Sequence, residues 1–173
     1  ISKDYIDMCN AIDDEFGRLD GLLHNASELG ERTPISNYSD NSWTRVMQVN
    51  VHAPFLMTQA LLPLMQRADS ASIIFTGSSV GFAGRAYWGA YAASKAATEN
   101  LMQTLADELC ETSNVRCNSI NPGATRTNMR ASAYPAENPA DVPAPEALMP
   151  TYLYLMGDDS KESNGQQFDA QSK

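Results

Sequence analysis

Three short apolar runs, separated by longer segments of helical pattern, constrain the fold of this chain most strongly. The runs cover residues 19–24, 71–76 and 115–120, and a weaker fourth covers residues 165–169. Their length suits buried strands better than helices. Strands that alternate with helices predict an α/β fold, in which a Rossmann-like, doubly wound parallel sheet lies between two helical layers.

Apolar residues at helical spacing predict four helices around these strands. Gly17 is expected to end the first helix. Pro54 and Pro63 fall in the second helix and are expected to bend its axis, because each proline removes a backbone donor. The predicted helices cover residues 3–16, 40–67, 89–111 and 146–156.

Residues 124–145 differ in composition from the rest of the chain. They hold four prolines and many small or polar residues, which favours a mobile flap on the substrate side of a pocket over a packed element. The full length of 173 residues suits one domain with a real core. We therefore predict a single domain over residues 1–173 that carries this flap.

The net charge of the chain indicates which classes of partner it is unsuited to bind. A net charge of -9 argues against nucleic acid and against an anionic membrane surface, since both would repel the protein. The cysteines at 9, 110 and 117 form no CxxC pair and have no histidine at a metal-binding spacing, so we expect reduced thiols and no metal. No apolar run approaches the roughly 18 residues of a membrane span, and no export signal is evident. These features predict a cytoplasmic protein.

Tyr91 and Lys95 are four residues apart in a predicted helix, so they project from one face. At about 4 Å and an effective dielectric near 20, an ammonium stabilises a phenolate by up to about 4 kcal/mol. We therefore expect Lys95 to lower the pKa of Tyr91 and to fit it for proton exchange with an alcohol or carbonyl oxygen. Ser78 would hold that oxygen. The competing interpretation is that Tyr91 and Lys95 are ordinary residues of a helix surface.

Polar residues follow three of the predicted strands directly. Asn25 follows the first strand, Ser78 the second, and Asn121-Pro122-Gly123 ends the third. In parallel sheets the carboxyl ends of the strands share one edge, where ligands bind. The sequence therefore predicts one pocket formed by three separate segments.

Four ordered motifs extend over nearly the whole chain. They are His24-Asn25-Ala26-Ser27, Asn50, Ser78 thirteen positions before Tyr91-x-x-x-Lys95, and Pro122-Gly123 with Thr127. This set resembles the short-chain dehydrogenase/reductase family, Rossmann-fold enzymes that move a hydride between a nicotinamide cofactor and an alcohol or carbonyl. Residues 84–91 and 153–159 are similar to one bacterial subgroup of that family, the YciK-like oxidoreductases.

The resemblance implies a catalytic set of four residues. Tyr91 exchanges the proton, Ser78 polarises the substrate oxygen, Lys95 lowers the pKa of Tyr91 and binds the nicotinamide ribose, and Asn50 anchors a water that leads to the lysine. The implied cofactor is NAD or NADP, and the substrate is a small alcohol or carbonyl compound. Residues implied to contact the cofactor are Asn25, Ala26, Tyr91, Lys95, Pro122, Gly123, Thr125 and Thr127.

The resemblance also implies a homodimer or homotetramer, because helices corresponding to residues 40–66 and 89–111 commonly pair across subunits in this family. Two departures from the family pattern accompany the matches. Ser27 replaces a glycine, and no glycine-rich turn for the cofactor pyrophosphate is found, so we expect an N-terminally truncated fold whose strand at 19–24 is an edge. The absence of that turn from the sequence leads to an alternative interpretation, in which the chain is a non-catalytic fragment or scaffold.

Several residues have two interpretations. Asn50 is either part of the proton path or a helix amide satisfied by a backbone neighbour. Arg85 and Arg126 either meet an acidic group of the substrate or are solvated surface arginines. Trp88 and Tyr87 either line the pocket or pack in the core, Ser79 is an alternative to Ser78, and His24 and His52 are interpreted as structural.

Overall fold

The computed structural model describes residues 2–171, which form an α/β fold built on one parallel sheet. The strands follow the chain order across the sheet, and the pairs His24–Phe75 and Thr76–Ile120 are in register near the carboxyl edge. The predicted Rossmann-like parallel sheet is confirmed. Its strands are β1 (Gly21–His24), β2 (Ala71–Thr76), β3 (Val115–Asn121) and β4 (Gln167–Asp169).

Six α-helices accompany these strands within the described part of the chain. Gly17 ends the first helix as predicted, since it adopts a positive φ of 69° and donates its N–H to the Asp13 carbonyl. The helices are α1 (Lys3–Phe16), α2 (Asp40–Met47), α3 (Ala53–Met65), α4 (Gly89–Leu109), α5 (Asn128–Ala133) and α6 (Met149–Met156).

The helix predicted over residues 40–67 is interrupted by a π-helical turn, Gln48–His52. Pro54 closely follows the π turn, at the start of α3, and Pro63 lies inside α3. Pro54 has no N–H for the carbonyl four positions earlier, that of Asn50, which lies in the π turn. The π turn directs Asn50 inward, and the residue is only 2% exposed.

The sheet is covered by helices on both faces. Neighbouring side chains along β2 point to opposite faces, so Ile73 and Phe75 face one layer and Ile74 faces the other. The first layer is thick and contains α1, α3 and α4, whereas the second is thin and rests on Leu155 of α6. This arrangement confirms the three-layer prediction.

The segment 124–145 is partly helical. Thr127 caps α5 by accepting a hydrogen bond from the Arg130 N–H at 3.1 Å, and Val142 is buried. Its composition did not predict this short helix. Over residues 2–171, no helix combines the length and the apolar character that crossing a bilayer requires.

Candidate active site

The carboxyl ends of β1, β2 and β3 open into a cavity of about 520 Å³. The segment 124–145 and α6 cover its other side. The predicted pocket therefore exists and is built from the three predicted segments. The wall includes Asn25, Ser27, Thr76, Ser78, Trp88, Tyr91, Lys95, Asn121, Pro122, Gly123, Thr125, Thr127, Arg130, Tyr134, Met149 and Tyr152.

Tyr91 and Lys95 lie together near the start of α4 and both line the cavity. The Lys95 ammonium is 5.5 Å from the centroid of the Tyr91 ring and donates a hydrogen bond of 2.8 Å to the Thr76 carbonyl. Lys95 is only 4% exposed, so this carbonyl replaces part of its hydration. The helical spacing correctly predicts that the two side chains share a face.

The pKa values of this pair are set mainly by burial. Loss of hydration raises the pKa of Tyr91, and hydrogen bonds with the Ser78 and Ser27 hydroxyls oppose that rise. Burial lowers the pKa of Lys95 to about 8. The prediction that the pKa of Tyr91 is lowered is therefore wrong for this structure, because desolvation of the phenol is the largest influence on it.

Ser78 follows β2 directly and reaches the cavity, whereas Ser79 is exposed and does not line it. Ser78 has extended backbone geometry and precedes a 3₁₀ turn, Ser79–Gly81. Gly81 lets this turn approach α4 closely, since a Cβ there would lie 2.9 Å from the Lys95 carbonyl carbon. The turn thus fixes the position of Ser78 relative to the helix that carries Tyr91.

Asn50 lies behind the cavity wall, and its side-chain amide is fully used. Its Oδ1 accepts hydrogen bonds from the Glu28 N–H at 2.7 Å and the Ser27 hydroxyl at 3.3 Å. Its Nδ2 donates to the Glu28 carbonyl and the Ser94 hydroxyl, both at 2.9 Å. The amide ties the loop after β1 to α4 and has no capacity left for a water molecule.

The segment after β1 contributes Asn25 to the wall, and Asn25 Oδ1 accepts a hydrogen bond of 3.0 Å from Thr76. Ala26 does not line the cavity. His24 is buried and bonded to Thr58 at 2.8 Å, and burial lowers its pKa to about 4, so it is neutral near pH 7. His52 is exposed. Both positions agree with the structural interpretation of the histidines.

The predicted cofactor segment after β3 lines the cavity through Pro122, Gly123, Thr125 and Thr127. Gly123 has a positive φ of 69°, and its N–H donates to Asn121 Oδ1 at 3.1 Å. The Thr125 hydroxyl donates to the Pro122 carbonyl at 3.2 Å. These bonds hold a compact turn whose polar groups border the cavity.

Sequence reasoning missed two hydroxyl groups of the site. Ser27 contacts Tyr91, although its only signal was the departure from the family glycine. Tyr152 of α6 lines the cavity and hydrogen-bonds Thr76, and burial raises its pKa. No local motif marks Tyr152, because the chain brings it to the site from 61 residues beyond Tyr91.

The two-way interpretations of the aromatic residues are resolved by position. Trp88 is buried and lines the cavity, whereas Tyr87 is 56% exposed.

Arg85 and Arg126 are exposed and lie outside the wall of the cavity. Arg126 donates to the Val142 carbonyl at 3.3 Å, and Arg85 contacts Tyr134 of the wall.

Comparisons with known proteins show the family of this chain. The family model described as short chain dehydrogenase matches residues 2–138. The oxidoreductase YciK of Escherichia coli is 57% identical over 156 residues, which are 90% of this chain and 61% of YciK. The chain thus spans less than two thirds of that curated relative.

Solved structures are similar over almost the whole chain. A short chain dehydrogenase from Pseudomonas syringae has a TM-score of 0.96 and 61% identity, covering 98% of this chain and 68% of that one. A short chain dehydrogenase from Shigella flexneri, complexed with NADP, has a TM-score of 0.96 and 52% identity, covering 99% and 71%. The resemblance drawn from the motifs is confirmed, including its YciK-like subgroup.

Proposed function

Since the chain belongs to the short chain dehydrogenase family, we propose that it provides the catalytic part of an oxidoreductase acting on an alcohol or carbonyl group. The meeting of Ser78, Tyr91 and Lys95 at one cavity carries this proposal. The cofactor is NAD or NADP, and the NADP bound by the similar Shigella flexneri protein favours NADP.

The residues around the cavity fit the nicotinamide end of such a cofactor. The Asn25 amide and the Thr125 and Thr127 hydroxyls supply polar groups on a largely apolar wall, and the Gly123 backbone permits close approach. We assign the nicotinamide to these residues, with Lys95 at the ribose. When bound, the cofactor supplies or accepts the hydride, and the protein positions it and manages the proton.

Tyr91 acts as the proton donor when a carbonyl is reduced. Burial raises its pKa, so the phenol is neutral near pH 7 and has a proton to give. Its hydroxyl reaches the substrate oxygen from the same side as Ser78, which donates a second hydrogen bond. In alcohol oxidation the same group must first lose its proton, because it then accepts one from the alcohol.

Lys95 supplies the positive charge of the site. With a pKa of about 8 it is mostly protonated at pH 7. A proton lost from Tyr91 leaves a phenolate, and the ammonium on the next helical turn stabilises that charge as it forms. Lys95 therefore acts during the reaction, although it does not lower the pKa of Tyr91 at rest.

Asn50 is a positioning residue in this scheme. Its amide holds Ser27 and the Glu28 backbone on one side and Ser94, next to Lys95, on the other. Asn50 thus supports the proton path through the geometry of Ser27 and α4.

Titration of NADPH with the purified protein tests the proposal, with cofactor fluorescence as the readout. We expect a saturable fluorescence enhancement that added NADP reverses by competition. A parallel titration with NADH measures the preference between the two cofactors. No saturable response to either one would contradict the proposed function.

A further inference from the structure

Two arginines stand at the mouth of the cavity and contact its aromatic wall. The Arg32 guanidinium lies 4.0 Å from the centroid of the Trp88 ring and 5.6 Å from that of Tyr134. Arg85 donates a hydrogen bond of 2.9 Å to the Tyr134 hydroxyl. Arg32 and Arg85 therefore share one tyrosine, and we call this pair the arginine rim.

The charges of the arginine rim are not neutralised by ion pairs. Within residues 2–171, neither Arg32 nor Arg85 has a carboxylate within 4.0 Å. The neighbouring Arg130 differs, because it forms an ion pair with Glu137 through two hydrogen bonds. Two unpaired cations thus stand close together at the mouth, in a protein whose net charge is -9.

Each rim guanidinium keeps most of its donors available. Arg32 uses one, to the Ala133 carbonyl at 3.0 Å, and Arg85 uses one for Tyr134. A guanidinium has five N–H donors, and stacking on an aromatic ring occupies none of them. The Trp88 ring therefore restricts the motion of the Arg32 guanidinium without using its donors, and Arg85 is held by its one hydrogen bond to Tyr134.

Among the described residues, those that line the wall behind the rim include no acid. Among the residues that line the cavity, the charged side chains are Lys95 and Arg130, and most of the remainder near the mouth are apolar, including Met129, Leu148 and Met149. A cavity lined by charges of one sign attracts ligands of the opposite sign. Because Arg130 is paired with Glu137, the net positive charge of the lining comes from Lys95, and the arginine rim adds two further positive charges at the mouth.

We propose that Arg32 and Arg85 bind the carboxylate of a substrate whose carbonyl or alcohol group lies at Tyr91. This inference rests on the proposed function, and it names the substrate class as an oxo acid or hydroxy acid. A row of neighbouring, mutually tilted rings connects the two ends, with ring centroids 5.7 Å apart for Tyr91 and Trp88 and 6.1 Å apart for Trp88 and Tyr134. An aliphatic spacer of several methylene groups would lie along these rings.

Calorimetric titration without cofactor tests the arginine rim. The probes are 7-oxooctanoate and its methyl ester, which differ in charge but share the ketone and the spacer. We expect the wild-type protein to bind the acid about tenfold more tightly than the ester, since a charge-assisted hydrogen bond contributes about 1.5 kcal/mol. Raising the salt concentration should reduce this preference.

Variants assign the preference to the rim. R32Q and R85Q should each weaken binding of the acid several-fold and leave binding of the ester unchanged. R18Q is the matched control, because Arg18 precedes β1 at the opposite end of the sheet and its loss changes the net charge equally. It should leave the affinity for both probes at the wild-type value.

Three results would overturn the inference. They are equal binding or no binding of the two probes by the wild-type protein, an equal loss of acid binding in R18Q, and an equal loss of both probes in R32Q and R85Q. An equal loss of both probes would mean that the two arginines maintain the shape of the cavity and do not bind the carboxylate. The titration requires no turnover, so a failure of the proposed oxidoreductase activity would appear in the cofactor titration and not here.

Discussion

Lys95 shows how a proposed catalytic residue is kept at a cost to stability. It is a buried ammonium with one backbone partner, the Thr76 carbonyl, and burial lowers its pKa to about 8. The folded protein therefore binds this proton more weakly than the unfolded chain does. By linkage, protonation of Lys95 opposes folding below pH 8, and the opposition fades as the pH rises toward the ordinary lysine value of 10.5.

Replacement of Lys95 by methionine should stabilise the protein and remove its activity. We expect the free energy of unfolding at pH 7 to rise by about 2–3 kcal/mol, because the substitution removes the desolvation cost of the charge. The gain should shrink as the pH approaches 10.5, where the unfolded chain also loses the proton. Urea unfolding at pH 7 and pH 10 measures both values.

Lys161→Met is the control for this prediction. Lys161 is exposed and pairs with Asp158 on the surface, so its replacement should change the free energy of unfolding by less than about 1 kcal/mol. If Lys95→Met gave no gain at pH 7, or the same gain at both pH values, the buried-charge explanation would be wrong.

At the scale of elements, the site depends on the distance between the turn after β2 and α4. Gly81 allows the turn to rest on the helix backbone at Lys95 and Ala96. Ser78 belongs to the turn, and Tyr91 belongs to the helix. The separation of the two proposed catalytic hydroxyls is therefore set by one glycine contact.

Gly81→Ala should separate the turn from α4. The added Cβ would lie 2.9 Å from backbone atoms, which cannot rotate away, so we expect a loss of about 1–3 kcal/mol in unfolding free energy and a lower kcat. Gly84→Ala is the control, because a Cβ there meets no atom within 4 Å. Equal stability of the two variants would show that the contact is not constraining.

The elements were largely predictable, because the apolar pattern follows the period of each one. Strand β2 and the start of α4 match their predicted bounds, and the YxxxK spacing correctly brings Tyr91 and Lys95 together. The π turn at Gln48–His52 was not predicted, and the contacts that Asn50 makes from it, with Glu28 and Ser94, join residues distant in sequence.

The direction of the Tyr91 pKa shift could not be predicted from the sequence for a related reason. Helical spacing gives the separation of two charged groups, but burial depends on what the rest of the chain packs around them. Ser27 and Tyr152 were missed because each reaches the site from another element. The spacing of residues in a helix therefore predicts which side chains lie together, whereas the packing around them determines the direction in which their pKa values shift.

At the scale of the whole molecule, the two faces of the sheet differ in how they are held. One face has an extensive apolar layer, whereas the other has three fully buried apolar side chains, Ile74, Ile120 and Leu155. Hydrogen bonds add to this thin layer. Ser72 donates to the Leu155 carbonyl at 2.7 Å, and Arg116 donates to the Gly157 carbonyl at 2.7 Å.

Arg116→Met should loosen α6 more than the rest of the fold. Arg116 also donates to Ser160 at 3.1 Å and Ser70 at 2.8 Å, so its loss leaves several buried acceptors without a donor. We expect a loss of about 2–4 kcal/mol and faster amide exchange over residues 149–156 than in α3. Hydrogen exchange measured by mass spectrometry resolves the two helices.

The exposed pair of Arg67 and Asp13 supplies the control for this comparison. Arg67→Met should cost less than about 1 kcal/mol and leave exchange in α6 unchanged. Uniform exchange across both faces in Arg116→Met would contradict the view that polar contacts hold the thin layer.

The central claim is that Tyr91 donates the proton in this cavity, and the kcat of Tyr91→Phe tests it most directly. The control is Tyr87→Phe, which removes an exposed hydroxyl from the same chain segment. We predict a fall in kcat of about 10²–10⁴-fold for Tyr91→Phe, with NADPH binding retained and with Tyr87→Phe at the wild-type rate. An unchanged kcat in Tyr91→Phe would contradict the claim.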